Sequence, residues 1–515
     1  MDKSPINKFL VIFLFTCCGI SLGQTIYIPT NDIVIVRIEE LMARGYLDGL
    51  SRTEKPWIAS HVVQNILDDE LMFDSQSKLI ADDILSYLRA TKIADKGVLD
   101  VGTNIGLGIR AGSREQRDGY FYQNDIFINR GFKKEFGSIY DFRFWISRDS
   151  KWGIDTRLIF DSDGTGFPWY YGTAHNARII GQFDHAYLTF SFDKFSALLG
   201  RQRLVWGPSP RGSLLLNDTS PPLDMIRYDF SVRPLSVTGF ATRLDDYVDS
   251  LGVSSRRYLS GHRLRINPGK GWEIALSEIY LYGGPNRLPE LYYNIPVVLY
   301  YWEAQNRRQD DNALWGLDIS WLKGGLGQFY TQFVFDDIQR QNRGPQKIGM
   351  QFGAYLSPSQ LRDWSGIFEI NFVDTYVYGH RQRLNAYLNW DRPLGRLDSD
   401  QREYFAGVFK RLNPAIKFGV EFIGRDKGAY YAVDPQPNAA PLNTRFPSGA
   451  IEYTRELSLV STWEGSGHYF GRLALGYQSI AGWQHSPGLS LDQFLITFQA
   501  FYGAKIGLPF WNRFR

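Results

Sequence analysis

The residues of this 515-residue chain that could carry out a reaction do not form a catalytic constellation. Its seven histidines are scattered without a metal-ligand spacing such as His-Glu-x-x-His, and no Gly-x-Ser-x-Gly elbow is present. The adjacent carboxylates Asp245-Asp246 and Asp310-Asp311 could serve as acid and base, but such pairs are more often solvated loop charges. The sequence predicts no enzyme activity, no metal site and no cofactor. A surface hydrolase is held in reserve.

Aromatic side chains beside cationic ones are more informative. They are concentrated in three predicted loops, which hold Trp169, Tyr170 and Tyr171, then Tyr292, Tyr293 and Trp302, then Tyr430 and Tyr431. Aromatic faces can stack on sugar rings, and arginine or lysine can pair with the acidic groups of an anionic polysaccharide. The same rings could instead form an interface girdle or pack loops over a barrel mouth. These residues are candidate glycan contacts.

The densest motif of the chain runs from Gly200 to Asp224. It reads Gly-Arg-Gln-Arg-Leu-Val-Trp-Gly-Pro from Gly200, then Arg-Gly-Ser-Leu-Leu-Leu-Asn from Arg211 and Pro-Pro-Leu-Asp from Pro221. The Gly-Pro pair breaks the strand that enters the motif, and the later glycines and prolines favour a loop with a fixed structure.

Four residues of this motif are further candidate glycan contacts: Arg201, Arg203, Trp206 and Arg211. Arg201 and Arg203 share one face of the predicted strand. Either arginine could contact an acidic glycan or brace carboxylates across a polar lumen. For these two strand arginines we favour bracing, because a polar lumen lets arginine pair with Asp or Glu.

Alternation of apolar and polar residues with a period of two indicates the element that carries these loops. From Leu99 to Arg110 the odd positions are apolar or Thr, whereas the even ones are Asp, Gly, Asn or Arg. A strand sends alternate side chains to opposite faces, so this pattern suits lipid on one face and a wet lumen on the other. It recurs at 185–192, 315–321, 347–356 and 416–423. Repetition favours a membrane barrel over a soluble sandwich.

Composition agrees with a barrel. The chain is 44% hydrophobic with a mean hydropathy of -0.27, yet no internal run approaches the roughly 20 apolar residues of a spanning helix. Its aromatic content of 15% is what girdles at two membrane interfaces would produce. The formal charge of +3 does not point to nucleic acid, and we expect no such partner.

The N-terminal part differs from the rest. Lys3 and Lys8 precede a short apolar run and the small-residue stretch Ser21-Leu22-Gly23, which predicts a cleaved secretory signal over residues 1–23. Both cysteines, Cys17 and Cys18, lie in this stretch. Residues 24–96 then show apolar positions at helical spacing, as at Ile38, Leu41 and Met42. We expect a small helical segment in the periplasm, beneath or partly inside the barrel.

Residues 97–515 are expected to form the barrel, with about 18 antiparallel strands. Short turns are predicted at 267–270 and 412–414. Four longer connections, Asp161 to Arg178, Leu204 to Pro234, Gly283 to Asp311 and Arg425 to Ser448, would face outward from the cell. The predicted strands do not place all four connections on the same side of the membrane, so at least one strand boundary is wrong. We expect a strand to have been missed or split between Asp311 and Arg381.

A Gly-Arg-Gln-x-x-x-Trp-Gly segment that leads into Gly-Ser-Leu-x-Leu and Pro-Pro-x-Asp resembles the capsule assembly protein Wzi family. The plan of signal peptide, helical segment and barrel extends the resemblance to nearly the whole chain. The resemblance implies an 18-stranded outer-membrane barrel, closed by its helices and loops, that acts as a lectin-like anchor for capsular or extracellular polysaccharide.

Two function classes remain open from the sequence. The first is the polysaccharide anchor, located in the outer membrane of a Gram-negative bacterium. The second is an outer-membrane diffusion channel, since 16 to 18 strands can enclose an aqueous pore. The partners expected for the anchor are outer-membrane lipid, the polysaccharide, and export machinery reached through the periplasmic helices.

Overall fold

The computed structural model describes residues 26–89, 99–112, 136–148, 151–162, 180–296, 298–307, 311–337, 345–437, 445–465 and 469–507. The predicted signal peptide lies outside these ranges. In them, no helix is both long enough and apolar enough to cross a bilayer.

A single antiparallel sheet forms the wall of the molecule. In the described part of the chain this sheet has 19 strands, of which one is the two-residue Tyr247–Val248, which pairs with Ser254 and Ser255. The remaining 18 wall strands are β1 Leu99–Gly112, β2 Phe136–Arg148, β3 Trp152–Asp161, β4 Ile180–Phe192, β5 Phe195–Gln202, β6 Leu223–Val232, β7 Leu235–Arg243, β8 Ser254–Gly269, β9 Trp272–Gly284, β10 Asn312–Lys323, β11 Gly327–Asp337, β12 Lys347–Leu356, β13 Trp364–Val373, β14 Gln401–Asn413, β15 Ile416–Lys427, β16 Glu452–Gly465, β17 Tyr469–Ala481 and β18 Ser490–Gly507.

The sheet closes on itself because β1 pairs with β18, from Gly102 opposite Gly507 to Gly112 opposite Thr497. Each wall strand otherwise pairs with its neighbours in the sequence. The expectation of an all-β transmembrane barrel of about 18 antiparallel strands is confirmed.

The two ends of the barrel differ in their connections. Short turns join β2 to β3 and every second pair after it, and we call this the turn end. The hairpin predicted at 267–270 is one of them, with Gly269, Lys270 and Gly271 at positive φ. The longer connections meet at the opposite end, the loop end.

One sequence expectation was wrong. The predicted loop from Leu204 to Pro234 contains the wall strand β6, so the loop itself is 203–222 and Arg233-Pro234 lies at the turn end. The missed strand is therefore here and not between Asp311 and Arg381. Alternation is weak in β6, because Met225 stands on its inner face and Asp224 on its outer face. With β6 restored, the strands that flank the four long connections end at the loop end in every case, although residues 163–179 of the first connection lie outside the described residues.

The alternation of side chains between the outer and inner faces of the wall is confirmed in β1 and β15. Ile105 and Leu107 in β1 are exposed, whereas Asn104, which precedes Ile105, is buried. Phe418, Val420 and Phe422 in β15 are likewise exposed. In β4 the pattern shifts by one residue at a bulge, where Asp184 and His185 are both buried.

In residues 26–89, which the structure describes, three helices precede the barrel, as the 3.6-residue spacing predicts: α1 Val34–Ala43, α2 Ala59–Asp68 and α3 Ser75–Arg89. Their apolar stripes meet in a core that contains Ile38, Leu41, Val62 and Ile84, and this core packs on Trp145 of the inner wall. Gly45, which follows α1, has φ of 103° and lies against Gly324 of the β10–β11 turn. The helices therefore close the turn end of the barrel.

Among the described residues, the loop end carries four short helical segments: α4 Tyr300–Arg307 and the 3-10 turns Leu291–Asn294, Arg383–Asn385 and Trp483–His485. Two further 3-10 turns, Glu70–Met72 and Ser359–Leu361, lie at the turn end. A two-residue hairpin, Leu388–Asn389 with Arg392–Pro393, lies in the connection between β13 and β14.

Candidate functional site

The interior of the barrel is occupied from both ends. The connection 203–222, which we call the lumen loop, is buried almost throughout. Its two-residue strand Val205–Trp206 pairs with Glu54–Lys55 of the N-terminal segment in antiparallel register. The backbone N–H of Gly207 donates to the carbonyl of Thr53 at 2.9 Å. A segment from the turn end and a loop from the loop end therefore meet inside the lumen.

Charged contacts hold the N-terminal segment against the wall. Glu273 of β9 accepts hydrogen bonds from the hydroxyls of Ser51 and Thr53, at 2.9 and 2.6 Å. Glu54 pairs with Arg227 of β6 at 3.0 Å. Since these groups are buried, each carboxylate needs its partners to offset the cost of desolvation. The segment is thereby fixed in one position.

Trp206, a predicted glycan contact, is fully buried in this interior. Its ring packs edge-on against Phe240 at 5.1 Å, and the Arg263 guanidinium lies 5.6 Å from it. A Cβ at Gly261 would lie 3.2 Å from the indole and 2.6 Å from Phe240, so only glycine fits there. The burial of Trp206 makes it a core residue of the lumen.

Arg211 is also buried. It lies 3.2 Å from Glu369 and 3.0 Å from Glu403, while Arg396 contacts both of these carboxylates and Arg425 contacts Glu403. Two buried carboxylates shared by three guanidinium groups make a compact ionic cluster. Arg211 is thus committed to bracing the lumen loop against β13 and β14.

Both strand arginines pair with carboxylates, but they do not share the lumen face as expected: Arg203 has a buried partner, whereas the partner of Arg201, Asp224, stands on the outer face of β6. Arg201 makes a bidentate pair with Asp224 of the adjacent strand, with both N–O distances 2.7 Å. Arg203 pairs with Asp184 at 2.9 Å and donates to the carbonyls of Asp218 and Ser220. Arg203 therefore fixes the end of the lumen loop.

The three aromatic groups predicted from the sequence do not come together in one site. Trp169, Tyr170 and Tyr171 lie outside the described residues. Tyr292, Tyr293 and Trp302 lie on the outer wall of the barrel, and Tyr293 is fully buried there among other tyrosines.

Tyr430 and Tyr431 lie at the loop end, over the lumen. Tyr431 contacts His485 Nε2 through its hydroxyl at 3.0 Å, and Lys427 Nζ lies 3.9 Å from the centre of its ring. Tyr430 packs edge-on against Tyr376 at 4.8 Å. Tyr430, Tyr431 and His485 are half-buried, and we call them the mouth cluster.

A carboxylate beneath the mouth cluster helps to fix it. Asp398 accepts the backbone N–H of Ala432 at 2.9 Å. Burial raises the pKa of the Asp398 carboxyl, and the nearby Lys427 opposes this shift. The cluster is thus built on the connection between β13 and β14 as well as on its own loop.

The structure adds a group that the sequence reasoning missed. Trp390 is 45% exposed at the tip of the hairpin in the β13–β14 connection, with Arg383 paired to Asp391 beside it and Arg381 exposed nearby. Trp390 and Asp391 both have positive φ, as a tight hairpin turn requires. We call Trp390, Arg381 and Arg383 the hairpin patch. The signal in the sequence is Asn389-Trp390-Asp391, a turn-forming pair of polar residues around an aromatic.

The loop-end surface therefore presents aromatic rings and cations of the kind that suits sugars. In the mouth cluster the rings are partly accessible and held by hydrogen bonds. In the hairpin patch an exposed indole precedes Asp391, to which Arg383 is paired, and Arg381 of the same connection is exposed. In the described ranges, no three His, Cys, Asp or Glu side chains are grouped as metal ligands.

Comparisons with known proteins identify a family and several solved structures to which the chain is similar. A model of the family described as capsule assembly protein Wzi matches residues 161–480. Among solved structures, the chain is similar to Wzi of Escherichia coli, with a TM-score of 0.61 and 14% identity over 94% of this chain and 99% of that one. That protein is described as an outer membrane protein involved in group 1 capsule assembly and a carbohydrate-binding β-barrel.

Two barrels of Pseudomonas aeruginosa match less well. OprD has a TM-score of 0.45 at 8% identity, over 81% of this chain and 98% of that one. OpdK has a TM-score of 0.46 at 12% identity, over 79% and 99%. A search of curated proteins found no match.

Proposed function

Because the chain belongs to the capsule assembly protein Wzi family, we propose that it binds capsular or extracellular polysaccharide and anchors it at the cell surface during capsule assembly. The protein would lie in the outer membrane, reached through a cleaved signal peptide of residues 1–23. Its role is binding and not catalysis. The carbohydrate binding described for the E. coli protein of the same fold supports this proposal.

The observation that carries the proposal is the occupied lumen. A diffusion channel needs a continuous aqueous path, whereas here the Val205–Trp206 strand of the lumen loop pairs with Glu54–Lys55 across the interior. An ionic cluster around Glu369 and Glu403 then ties the loop to the far wall. These contacts favour a binding surface at the loop end over a pore.

The glycan contacts that we propose are the mouth cluster and the hairpin patch. The rings of Tyr431 and Trp390 would stack on sugar faces, and Arg381 and Arg383 would pair with carboxylates or other acidic groups of the polymer. Trp169, Tyr170 and Tyr171 stay candidates for the same surface. Trp206, Arg211 and Tyr293 would act indirectly, through the packing that holds the loops.

Binding can be measured directly with the purified barrel and polysaccharide extracted from its own cell. We expect Trp390→Ala and Tyr431→Ala each to weaken binding about tenfold, the effect of losing about 1.4 kcal/mol from one contact. Trp302→Ala is the matched control, because Trp302 lies on the outer wall and should leave affinity unchanged. If all three variants bind the polysaccharide with the affinity of the native protein, the loop-end surface is not the glycan-binding site.

Anchoring is tested in the cell. Deletion of the gene should leave polysaccharide synthesis normal while the polymer is shed into the medium, and the wild-type gene should restore retention. The Trp390→Ala variant should restore it only in part. Unchanged retention after deletion would contradict the anchor role, whatever the purified protein binds.

We also propose the helices at the turn end as the contact for export machinery. Leu71 and Met72 are exposed there, with Leu79 half-exposed on α3. Exposed apolar groups on a helical segment suit a protein partner. Site-specific photocrosslinking from position 71 in cells should capture a periplasmic or outer-membrane partner, and crosslinking from Asp48, also at the turn end, serves as the control. If neither position yields a product, the helices act only as a plug.

A further inference from the structure

The outward face of the barrel breaks the usual apolar pattern on β9. Residues of its inner face, such as Glu273 and Ile279, contact the N-terminal segment and the core of the lumen. Alternation therefore places Trp272, Leu276, Glu278, Tyr280 and Tyr282 on the outer face. Trp272 and Leu276 are exposed, as in a lipid-facing band, but Glu278 and the two tyrosines are buried.

The residues that bury them belong to the connection between β9 and β10, residues 285–296 and 298–307, which we call the outer-wall segment. Glu278 accepts the backbone N–H groups of Tyr300 and Tyr301, both at 2.8 Å. The ring of Tyr293 lies 4.4 Å from that of Tyr280 and 4.8 Å from that of Tyr282. The segment is thus folded down over the outside of the barrel.

The segment extends over several strands. At one side the Tyr228 hydroxyl, on the outer face of β6, donates to the carbonyl of Asn294 at 3.3 Å. At the other side Tyr301 packs edge-on against Trp315 on the outer face of β10, at 5.3 Å. Contacts to strands as far apart as β6 and β10 hold the outer-wall segment in a fixed position on the barrel.

Its height on the barrel follows from the strand register. Glu278 is paired with Trp315, and the Trp315 Nε1 donates to Glu278 at 3.1 Å. Towards the turn end, the outward residues are apolar down to Trp272 and Trp321, whose rings stack at 5.4 Å. Tryptophans mark the two borders of the apolar band of a membrane barrel. The outer-wall segment therefore lies at the loop-end border of this band.

The side of the segment that faces away from the barrel is rich in large apolar residues, which lie beside the polar Asn286, Gln305 and Asn306. Leu288, Leu291, Leu299 and Trp302 are all more than half exposed. Its charges are paired among themselves or with the loop: Arg287 with Asp311 at 2.6 Å, and Arg307 with Glu303 at 2.6 Å. Exposed apolar groups with neutralised charges between them suit the membrane interface and not bulk water.

We propose that the outer-wall segment is a membrane-interface element, and that its apolar side contacts the lipids of the outer leaflet at the headgroup boundary. Continuity with the apolar band, through Trp315 and Tyr301, identifies the occupant as lipid. Trp302 takes the position that interfacial tryptophans favour, with an apolar ring in lipid and a polar edge towards the headgroups. This inference does not depend on the proposed glycan binding.

The low cysteine content makes the test direct, since the chain has only Cys17 and Cys18. Single cysteines introduced by Leu291→Cys, Leu299→Cys and Trp302→Cys carry a nitroxide spin label in the barrel reconstituted in phospholipid vesicles. Leu264→Cys, on the outer face of β8 within the apolar band, is the lipid control, and Trp390→Cys is the water control. Heat-dependent mobility on gels checks that each variant forms the barrel.

The measurement is collision of the label with oxygen, which dissolves in lipid, and with a Ni(II) chelate, which stays in water. Labels at 291, 299 and 302 should show a several-fold higher oxygen-to-nickel ratio than the label at 390, approaching that at 264. Ratios equal to that at 390 would overturn the proposal. So would dipolar broadening at 302 that persists when the barrels are diluted in lipid, because a second copy of the chain would then cover the segment.

Discussion

At the scale of single residues, the lumen is held by carboxylates that several cations share. Glu40 of α1 is the clearest case: it lies 2.6 Å from Arg411, 2.9 Å from Lys417 and 3.1 Å from Arg44. Burial alone would raise the pKa of the Glu40 carboxyl, but Lys417, Arg411 and Arg44 together hold it well below its usual range. A single side chain thus joins the helical segment to β14 and β15.

Glu40→Gln should release α1 from the wall, because three cations would surround a neutral amide. We expect a loss of about 3 kcal/mol in stability at neutral pH, typical when one partner of a buried ionic group is removed. The measurement is urea denaturation followed by cleavage of the helical segment with a protease. A protease resistance equal to that of the native protein would show that Glu40 does not hold the plug.

The same residue predicts a pH dependence. A carboxyl whose folded-state pKa is depressed stabilises the protein above its unfolded pKa, about 4.3, and this stability is lost as pH falls through the folded value. Acidification should therefore loosen the helical segment, and Glu40→Gln should reduce that acid sensitivity. Glu39→Gln is the control on the same helix. Burial raises the pKa of Glu39, although Lys55 opposes the shift, so the Glu39→Gln variant should still lose stability as pH falls.

Trp206→Ala tests the core of the lumen in the same way. Removal of a fully buried indole that packs on Phe240 leaves a cavity that the surrounding wall cannot close, and we expect a cost of about 3–5 kcal/mol. The unfolding midpoint in denaturant measures it. Trp390→Ala, at an exposed tryptophan, should change the midpoint little. Similar midpoints for the two variants would mean that Trp206 is not a core residue.

At the scale of elements, the period-two and 3.6-residue patterns were sufficient to predict most strands and the helices α1 to α3, because each of these elements buries one continuous face. They failed where the two faces carry mixed side chains, as in β6. They also could not show the direction of a loop. The lumen loop and the outer-wall segment both contain arginines and a tryptophan, yet one enters the barrel and the other lies outside it.

The site was predicted less well for the same reason. Trp206 and Arg211 belong to a motif rich in binding chemistry, and only the fold shows that they are buried. Glu278 and His262 stand on outward faces, where the pattern leads one to expect apolar residues. A polar residue there becomes intelligible only when the segment that covers it is known. Trp390 was missed because the β13–β14 connection was not recognised as a long loop.

The pairing of the lumen loop with the N-terminal segment can be tested with an engineered cross-link. Lys55 and Val205 are register partners in the short antiparallel pair, and such partners are about 5 Å apart, within the range of a disulfide. The double variant Lys55→Cys/Val205→Cys should form a disulfide in the folded barrel, seen as a mobility shift after protease cleavage between the two positions. Lys55→Cys/Thr219→Cys is a mismatched control. Absence of the bond in a folded barrel would contradict the pairing.

At the scale of the whole molecule, the barrel wall is that of a large pore and the interior is that of a folded core. We expect the native protein to conduct ions weakly in a planar bilayer. Replacement of residues 208–217 by a short Gly-Ser linker should raise the conductance several-fold, because it removes the part of the lumen loop that crosses to β13. The same replacement of residues 248–252, in an exposed loop, is the control. High conductance of the native barrel would favour the channel instead.

The connection between the hairpin patch and the lumen loop has a mechanical consequence. The loop that carries Trp390 also holds Tyr387, whose hydroxyl donates to the carbonyl of Leu215 at 2.9 Å, and the lumen loop is itself fixed to the wall through Arg211. A polymer that pulls outward on Trp390 would therefore load the interior contacts and the strand hydrogen bonds together. Tension would spread around the circumference of the barrel, so that no single surface loop has to resist it alone.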